Sequence, residues 1–250
     1  MDFPLRDFLL QIEDNGHYSE DTAVVERIIS EKNWLSRNGD KCDIYESKFS
    51  DLNKDMHKNM IPVGSIEFVN KVLSFNGKPA MKPINIPDVL MDEQYLSRKA
   101  QRCSTKDEIY ALYEKWNEDS LFVKSNSGIK TGNTDIYKKT HTIFDDSSYF
   151  VSEVVDFVSE YRCFVNREQL KGIKNYLGDE WILPSKDFVM DCISKIGKSL
   201  TAYTLDVGIL PNGRTAVIEV HNFVSCGLYG FDHPVLTAMI ANGYKTELLR

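Results

Sequence analysis

Two apolar runs joined by the short turn Pro211-Asn212-Gly213 constrain this chain more than any other feature. Tyr203 to Leu210 and Arg214 to Val220 both read as strands, and Asn-Gly between such runs is a strong hairpin signal. Each run carries one acid, Asp206 and Glu219, among residues that otherwise suit a core. Removing a carboxylate from water is costly unless a partner compensates. The turn folds the two acids onto adjacent strands. Either a divalent cation lies between them, offsetting their desolvation and mutual repulsion, or one of them faces solvent or pairs with a nearby cation.

A chain of 250 residues can bury a sizeable core and folds as one large or two smaller domains. A net charge of −7 argues against broad nucleic-acid binding and leaves room for a local basic cleft. No apolar run reaches the length of a membrane span. The opening MDFPLRDFLLQIEDNG carries too many acids for a signal peptide, so the expected location is cytoplasmic. The five scattered cysteines form no C-x-x-C and read as reduced thiols, and the five histidines lack the spacing of a structural zinc site.

Along the chain, Val24, Val25, Ile28 and Ile29 give residues 19–35 a helical spacing, and CDIYESKF reads as a strand. In MIPVGSIEFVNKVL a short strand ends at Gly64, and Ser65 caps a helix. That junction is an ordinary cap or an anion site. NGKPAMKPINIPDVL, with three prolines, marks the main boundary: residues 1–87 form an N-terminal α/β domain and 88–250 a second. Thr105 and Glu108 make a capping box for a helix with the stripe Ile109, Leu112, Tyr113 and Trp116. SLFVK is a strand, followed by the polar loop SNSGIKTGNT. YFVSEVVDFV, EYRCFV and QLKGIKNY are three more strands, and Ser185 caps a helix with the stripe Val189, Cys192, Ile193, Ile196 and Leu200. Strands and helices interleave, but several strands are hairpin-linked, so the fold class is α+β.

Several nucleotide and catalytic motifs are missing. There is no G-x-x-x-x-G-K-[ST], no G-x-G-x-x-G after a strand and no G-x-S-x-G elbow. What remains is an ordered set of charges. Lys124 ends an apolar strand and is followed by the glycine loop with Lys130. Glu160 and Arg162 lie on the SEYRCFV strand, Lys174 on the next, then Asp206, Glu219, His221 and Asn222. Cations on strands can hold phosphates, and paired carboxylates can hold Mg²⁺ that bridges phosphate oxygens. Taken singly, a strand-end lysine is a solvated charge and Arg162 a partner for Glu160. The combination is more specific than its members.

This order of a lysine strand, a glycine loop, an E-x-R strand, an Asp strand and an E-V-x-x strand resembles the ATP-grasp superfamily. SEYRCFV is similar to the D-I-R strand of the ribosomal-protein glutamate ligases, and IEVHNFVSCG to their E-V-N-x-S-x-G segment. IPVGSIEFV and EVHNFVSCGLYG also resemble segments of short, often phage-encoded ATP-grasp ligases. The likeness covers residues 60 to 231. One departure stands out: where the family has Asn after E-V, this chain has His221, with Asn222 one place later. Either imidazole replaces the amide as metal ligand, or a bulge brings Asn222 in.

The resemblance implies an ATP-grasp fold whose two α+β lobes, about 88–151 and 152–250, sandwich ATP. Adenine would meet backbone near Glu153, Val154 and Val155, with Glu160 also on the nucleotide. Lys124 and Lys130 would touch phosphate, and the loop 125–134 would close over it. Asp206, Glu219 and either His221 or Asn222 would hold Mg²⁺, and Arg162 and Lys174 would face the γ-phosphate. The implied reaction joins a carboxylate substrate to an amine through an acylphosphate, with ADP released. Two alternatives stay open: a nucleotide-binding module without turnover, and a kinase-like phosphotransferase on the loose likeness of LDVG to D-F-G.

Overall fold

The structure, a computed structural model, describes residues 7–36, 41–128 and 134–250. Its strands are β1 (Phe8–Gln11), β2 (Ile44–Ser47), β3 (Ile61–Val63), β4 (Ala100–Cys103), β5 (Ser120–Ser125), β6 (Thr134–Lys138), β7 (Tyr149–Glu153), β8 (Ser159–Asn166), β9 (Gln169–Gly178), β10 (Ala202–Ile209) and β11 (Thr215–Asn222). The helices are α1 (Glu20–Leu35), α2 (Lys54–His57), α3 (Ile66–Phe75), α4 (Glu93–Leu96), α5 (Lys106–Trp116), α6 (Lys186–Ile196) and α7 (Leu236–Leu249). These strands form three sheets, ordered β2-β1-β3, β4-β7-β5-β6 and β11-β10-β8-β9. The first is parallel and the others antiparallel, as hairpin-linked strands require. This is a mixed α+β architecture.

Local chemistry accounts for the element boundaries. The hydroxyls of Ser19, Ser65, Thr105 and Ser185 each accept a backbone N–H in the first turn of the helix they precede. In the β10–β11 turn the Asn212 side chain accepts from Arg214 N at 3.0 Å, and Gly213 takes a φ of +81°. Every residue of β10 is buried, as suits one of the two inner strands of its sheet. Its outward face packs under α6 through Tyr203, Leu205 and Val207 against Val189, Cys192 and Ile193. Leu200, expected in the α6 stripe, falls beyond the helix end at Ile196.

The N-terminal sheet does not close a core by itself. Phe8, Leu9, Leu10, Val69 and Val72 share one apolar cluster with Leu236, Met239 and Tyr244 of α7 and with Phe164 and Phe223. Helix α7 thus clamps the first sheet to the third. A further core, built on Ile109, Leu112, Tyr113, Leu121 and Val123, belongs to the second sheet. Strand β7, at the expected lobe boundary, pairs wholly within that second sheet. Among the described residues no helix is long and apolar enough to cross a membrane.

Candidate functional site

A cleft of about 840 Å³ opens between the second and third sheets. On the third sheet it is lined by Arg162 and Glu219, two members of a single register row. Glu219 on β11 faces Asp206 on β10, Asp206 faces Arg162 on β8, and Arg162 faces Lys174 on β9. Residues directly opposite in an antiparallel sheet share a face, so the four members of the row lie on one side of the sheet. Two acids and two cations lie across four strands in that order.

Arg162 and Asp206 form a two-pronged pair, Nε to Oδ1 at 2.8 Å and Nη2 to Oδ2 at 2.7 Å, with both side chains buried. The third guanidinium nitrogen, Nη1, donates to the Gly227 carbonyl at 3.0 Å. Tyr229 and Tyr176, stacked on each other at 5.1 Å, flank the guanidinium at 5.0 and 5.9 Å from their ring centres. Burial pushes the Asp206 carboxyl upward and the guanidinium works against that. Burial likewise opposes the Arg162 charge, but the Asp206 carboxylate outweighs it and lifts Arg162 above its ordinary value. Burial also raises Glu160, which bonds Tyr176.

Glu219 is held differently. Its carboxylate accepts from Lys124 of β5, across the cleft, and lies 2.5 Å from His221 Nε2. Burial would raise this carboxyl, but His221 and Lys124 together hold it well below the usual carboxylate range. The expected repulsion between the acids is therefore already matched by cations: Asp206 has Arg162, and Glu219 has Lys124, with His221 as a further hydrogen-bond partner. Of the two arrangements that the sequence left open, pairing with nearby cations is therefore present, and a metal would be an additional partner.

His221 and Asn222 both line the cleft, but they are engaged differently. The only register irregularity on this hairpin lies between Asp206 and Val207, where Ile218 is the extra residue. Beyond it the strand is regular, so Glu219 and His221 share the cleft face. The Asn222 amide instead donates to the buried Glu247 of α7. Asp206, Glu219 and His221 each offer one ligand atom, all within 4.8 Å of one another, which is a spacing that one divalent ion can bridge. The donors fit a divalent cation: two carboxylate oxygens and one imidazole nitrogen.

Of the other expected residues, Lys124, Glu153, Val154, Val155 and Glu160 line the cleft. Glu153 is engaged by Lys99, through its backbone N at 2.8 Å and Nζ at 2.7 Å. Lys174 keeps its place in the row but lies outside the cleft lining. Lys130 and most of the glycine loop fall outside the described residues.

The structure adds a residue that the sequence did not single out. Arg98 is 5% exposed, lines the cleft, and its hydrogen bonds go to neutral groups: Ser152 Oγ at 3.2 Å, Leu96 O at 2.9 Å and Val217 O at 3.0 Å. Burial lowers its pKa to about 10. Its guanidinium sits over Phe150 and Phe157 at 6.0 and 5.9 Å. Phe157 in turn packs on Gly208, where a Cβ would come within 2.3 Å of the ring, so β10 must be bare there. A buried cation matched only by neutral acceptors beside a large polar cleft suits an anionic ligand. Phe122 and Phe150, edge to face at 6.4 Å, supply apolar aromatic surface in the cleft.

Known proteins bear on this geometry. Residues 95–239 match a family model described as an ATP-grasp domain, the second family of its clade. No curated protein matches the chain. Among solved structures, the RimK domain protein ATP-grasp from Sphaerobacter thermophilus DSM 20745 is similar with a TM-score of 0.54 at 13% identity, covering 97% of this chain and 98% of that one. D-cycloserine synthetase DcsG is similar with a TM-score of 0.55 at 10% identity, over 96% of this chain and 99% of that one. The ATP-grasp ligase PsnB, complexed with minimal precursor, reaches 0.52 at 11% identity, over 95% and 99%. At such identities the likeness is one of fold. The family match spans more than half of the sequence, and the chain belongs to the ATP-grasp family.

Proposed function

We propose that the chain is an ATP- and metal-dependent ligase that joins a carboxylate to an amine. The observation that carries this reading is the placement of charge. A row of acids and cations on one sheet faces two cations of the other lobe, Lys124 and Arg98, across a cleft large enough for a nucleotide. A triphosphate with its metal needs both signs of charge at close range.

In this reading adenine lies against Phe122 and Phe150 with the backbone of 153–155 at its edge. Lys124 and Arg98 hold phosphate oxygens. Asp206, Glu219 and His221 hold the divalent ion, which supplies charge neutralisation at the transferring phosphoryl group. Arg162 uses three of its five N–H donors on Asp206 and Gly227, leaving two for phosphoryl oxygens. Lys174, one strand further, adds positive charge along the row. A carboxylate oxygen of the substrate attacks the γ-phosphorus, and the bond to the β–γ bridging oxygen breaks with release of ADP. The amine nitrogen, as the neutral amine, then attacks the acyl carbon, inorganic phosphate departs with the bonding electrons, and the proton lost from nitrogen passes to the departing phosphate or to water. Preorganised cations around the developing charge provide the acceleration.

The test is incubation with ATP and a divalent metal against pooled amino acids, metabolites and peptides, following nucleotide products and new masses. Peptides belong in that panel because PsnB was solved with a minimal precursor. ADP, phosphate and an amide-linked product support the reading. AMP with pyrophosphate would sink the acylphosphate route, and a stable phosphorylated product would point to phosphotransfer.

A further inference from the structure

We infer that His221 makes this a nitrogen-bearing metal site that selects a first-row transition ion of the Mn²⁺ class over Mg²⁺. The inference rests on the reading of the cleft as a metal–nucleotide site and concerns which ion that site prefers.

The backbone fixes which side chains reach the cleft. The extra residue Ile218 absorbs the register shift before Glu219, so the strand from Glu219 onward pairs regularly with Asp206, Leu205, Thr204 and Tyr203. Glu219 and His221, two apart, must then project to one side. Asn222 also lines the cleft, but its amide is engaged by the buried Glu247, whereas His221 Nε2 lies with the carboxylates of Glu219 and Asp206. The third donor is therefore an imidazole by construction.

Distances place that imidazole among the oxygens. His221 Nε2 lies 2.5 Å from Glu219 Oε1 and 3.9 Å from Asp206 Oδ2. Neighbouring donors on an octahedral ion with bonds of about 2.1 Å stand about 3 Å apart and opposite ones about 4.2 Å. An ion that replaces the hydrogen bond between His221 and Glu219 needs only small side-chain movements. The other four histidines, at 17, 57, 141 and 233, are absent from the cleft lining, so a histidine signal from an ion in this cleft identifies one residue.

The chemistry then discriminates between ions. Mg²⁺ is hard, holds its water tightly and is served by oxygen donors. Imidazole suits first-row transition ions, and affinity for a mixed nitrogen and oxygen site rises from Mn²⁺ onward along the series. Two carboxylates keep the site hard enough for Mn²⁺, while the single nitrogen tips the ratio away from Mg²⁺.

Pulsed electron paramagnetic resonance on the full chain tests this, with Mn²⁺ and a non-hydrolysable ATP analogue bound. The wild type should show coupling of Mn²⁺ to a nitrogen that changes isotope when the protein carries ¹⁵N-histidine. His221→Asn, which offers oxygen in its place, should lose that coupling and lower the ratio of Mn²⁺ to Mg²⁺ affinity at least tenfold by titration calorimetry. Nucleotide and Mn²⁺ bound together without a histidine coupling would overturn the inference and leave the nucleotide site standing. An unchanged affinity ratio in His221→Asn would do the same. If neither nucleotide nor metal binds, both the inference and the functional reading fail.

Discussion

Lys124 of β5 donates to Glu219 of β11, so one ion pair spans the cleft and joins the lobe of the second sheet to that of the third. Both side chains are partly exposed, at 33% and 26%. Such a pair contributes about 1 kcal/mol or less to stability, so its main consequence is to hold both groups at the cleft. Lys124→Ala should keep the fold, with a fall in stability of about 1 kcal/mol at most. It should weaken ATP binding roughly tenfold or more, because a charged hydrogen bond to phosphate is lost. Titration calorimetry with ATP decides the matter: unchanged affinity would reduce Lys124 to a structural bridge.

Glu219→Gln should abolish turnover while the protein stays folded. The like-charge argument alone would have the variant more stable without metal, but the structure reverses the sign. Glu219 already faces Lys124 and His221, so removing its charge should lower stability by about 1 kcal/mol. A variant that turns over ATP normally in the substrate screen contradicts its role as a metal ligand.

Arg162→Ala should be far more damaging to the fold. It leaves Asp206, 1% exposed, without its two-pronged partner, which costs about 3–5 kcal/mol. Arg162→Lys should recover little of this, since an ammonium cannot reproduce the fork. Urea denaturation of both variants is the check, and a loss below about 1 kcal/mol would mean that the pair is weaker than its geometry.

Arg98→Gln separates nucleotide binding from folding in the other direction. The amide keeps a donor for the Leu96 or Val217 carbonyl while removing a buried charge matched only by neutral acceptors. Stability should change by about 1 kcal/mol or less, whereas ATP affinity should fall at least tenfold. Equal affinity for ATP in wild type and variant would remove Arg98 from the site.

Glu247, behind the cleft-lining Asn222, gives a pH signature of its own. Burial holds its carboxyl above the ordinary 4.5, with Arg250 and Asn222 working against it. A raised value in the folded state means that the folded protein binds this proton more tightly. The resulting stabilisation is present below pH 4.5 and is lost as pH rises through the folded value. Glu247→Gln should therefore gain on the wild type as pH rises above 4.5, read as urea midpoints, while still accepting from Asn222. A difference independent of pH would contradict the burial argument.

The sequence carried the hairpin and its acids because apolar runs around Asn-Gly leave little choice. It carried the capped helices for the same local reason. Arg162 beside Asp206 was legible only as membership of one site: their register depends on β8 and β10, separated by a hairpin and a helix, pairing in space. Arg98 was hidden because Ser-Arg-Lys reads as surface charge until the chain folds over it. Helix α7 was hidden by Asn242-Gly243, which has the chemistry of a turn. Packing overrides it, since a Cβ on Gly243 would lie 2.4 Å from the Phe223 carbonyl oxygen. His221 against Asn222 could not be decided until the position of the bulge at Ile218 was known.

The row Glu219–Asp206–Arg162 and the facing Lys124 and Arg98 should together enclose a metal-bound triphosphate. A crystal structure with Mn²⁺ and a non-hydrolysable ATP analogue, read at the manganese absorption edge, tests it most directly. The anomalous peak should fall within about 2.3 Å of Asp206, Glu219 and His221 donors, with phosphate oxygens against Lys124 and Arg98. Nucleotide bound with its phosphates away from these residues, or a manganese peak elsewhere in the molecule, would contradict it.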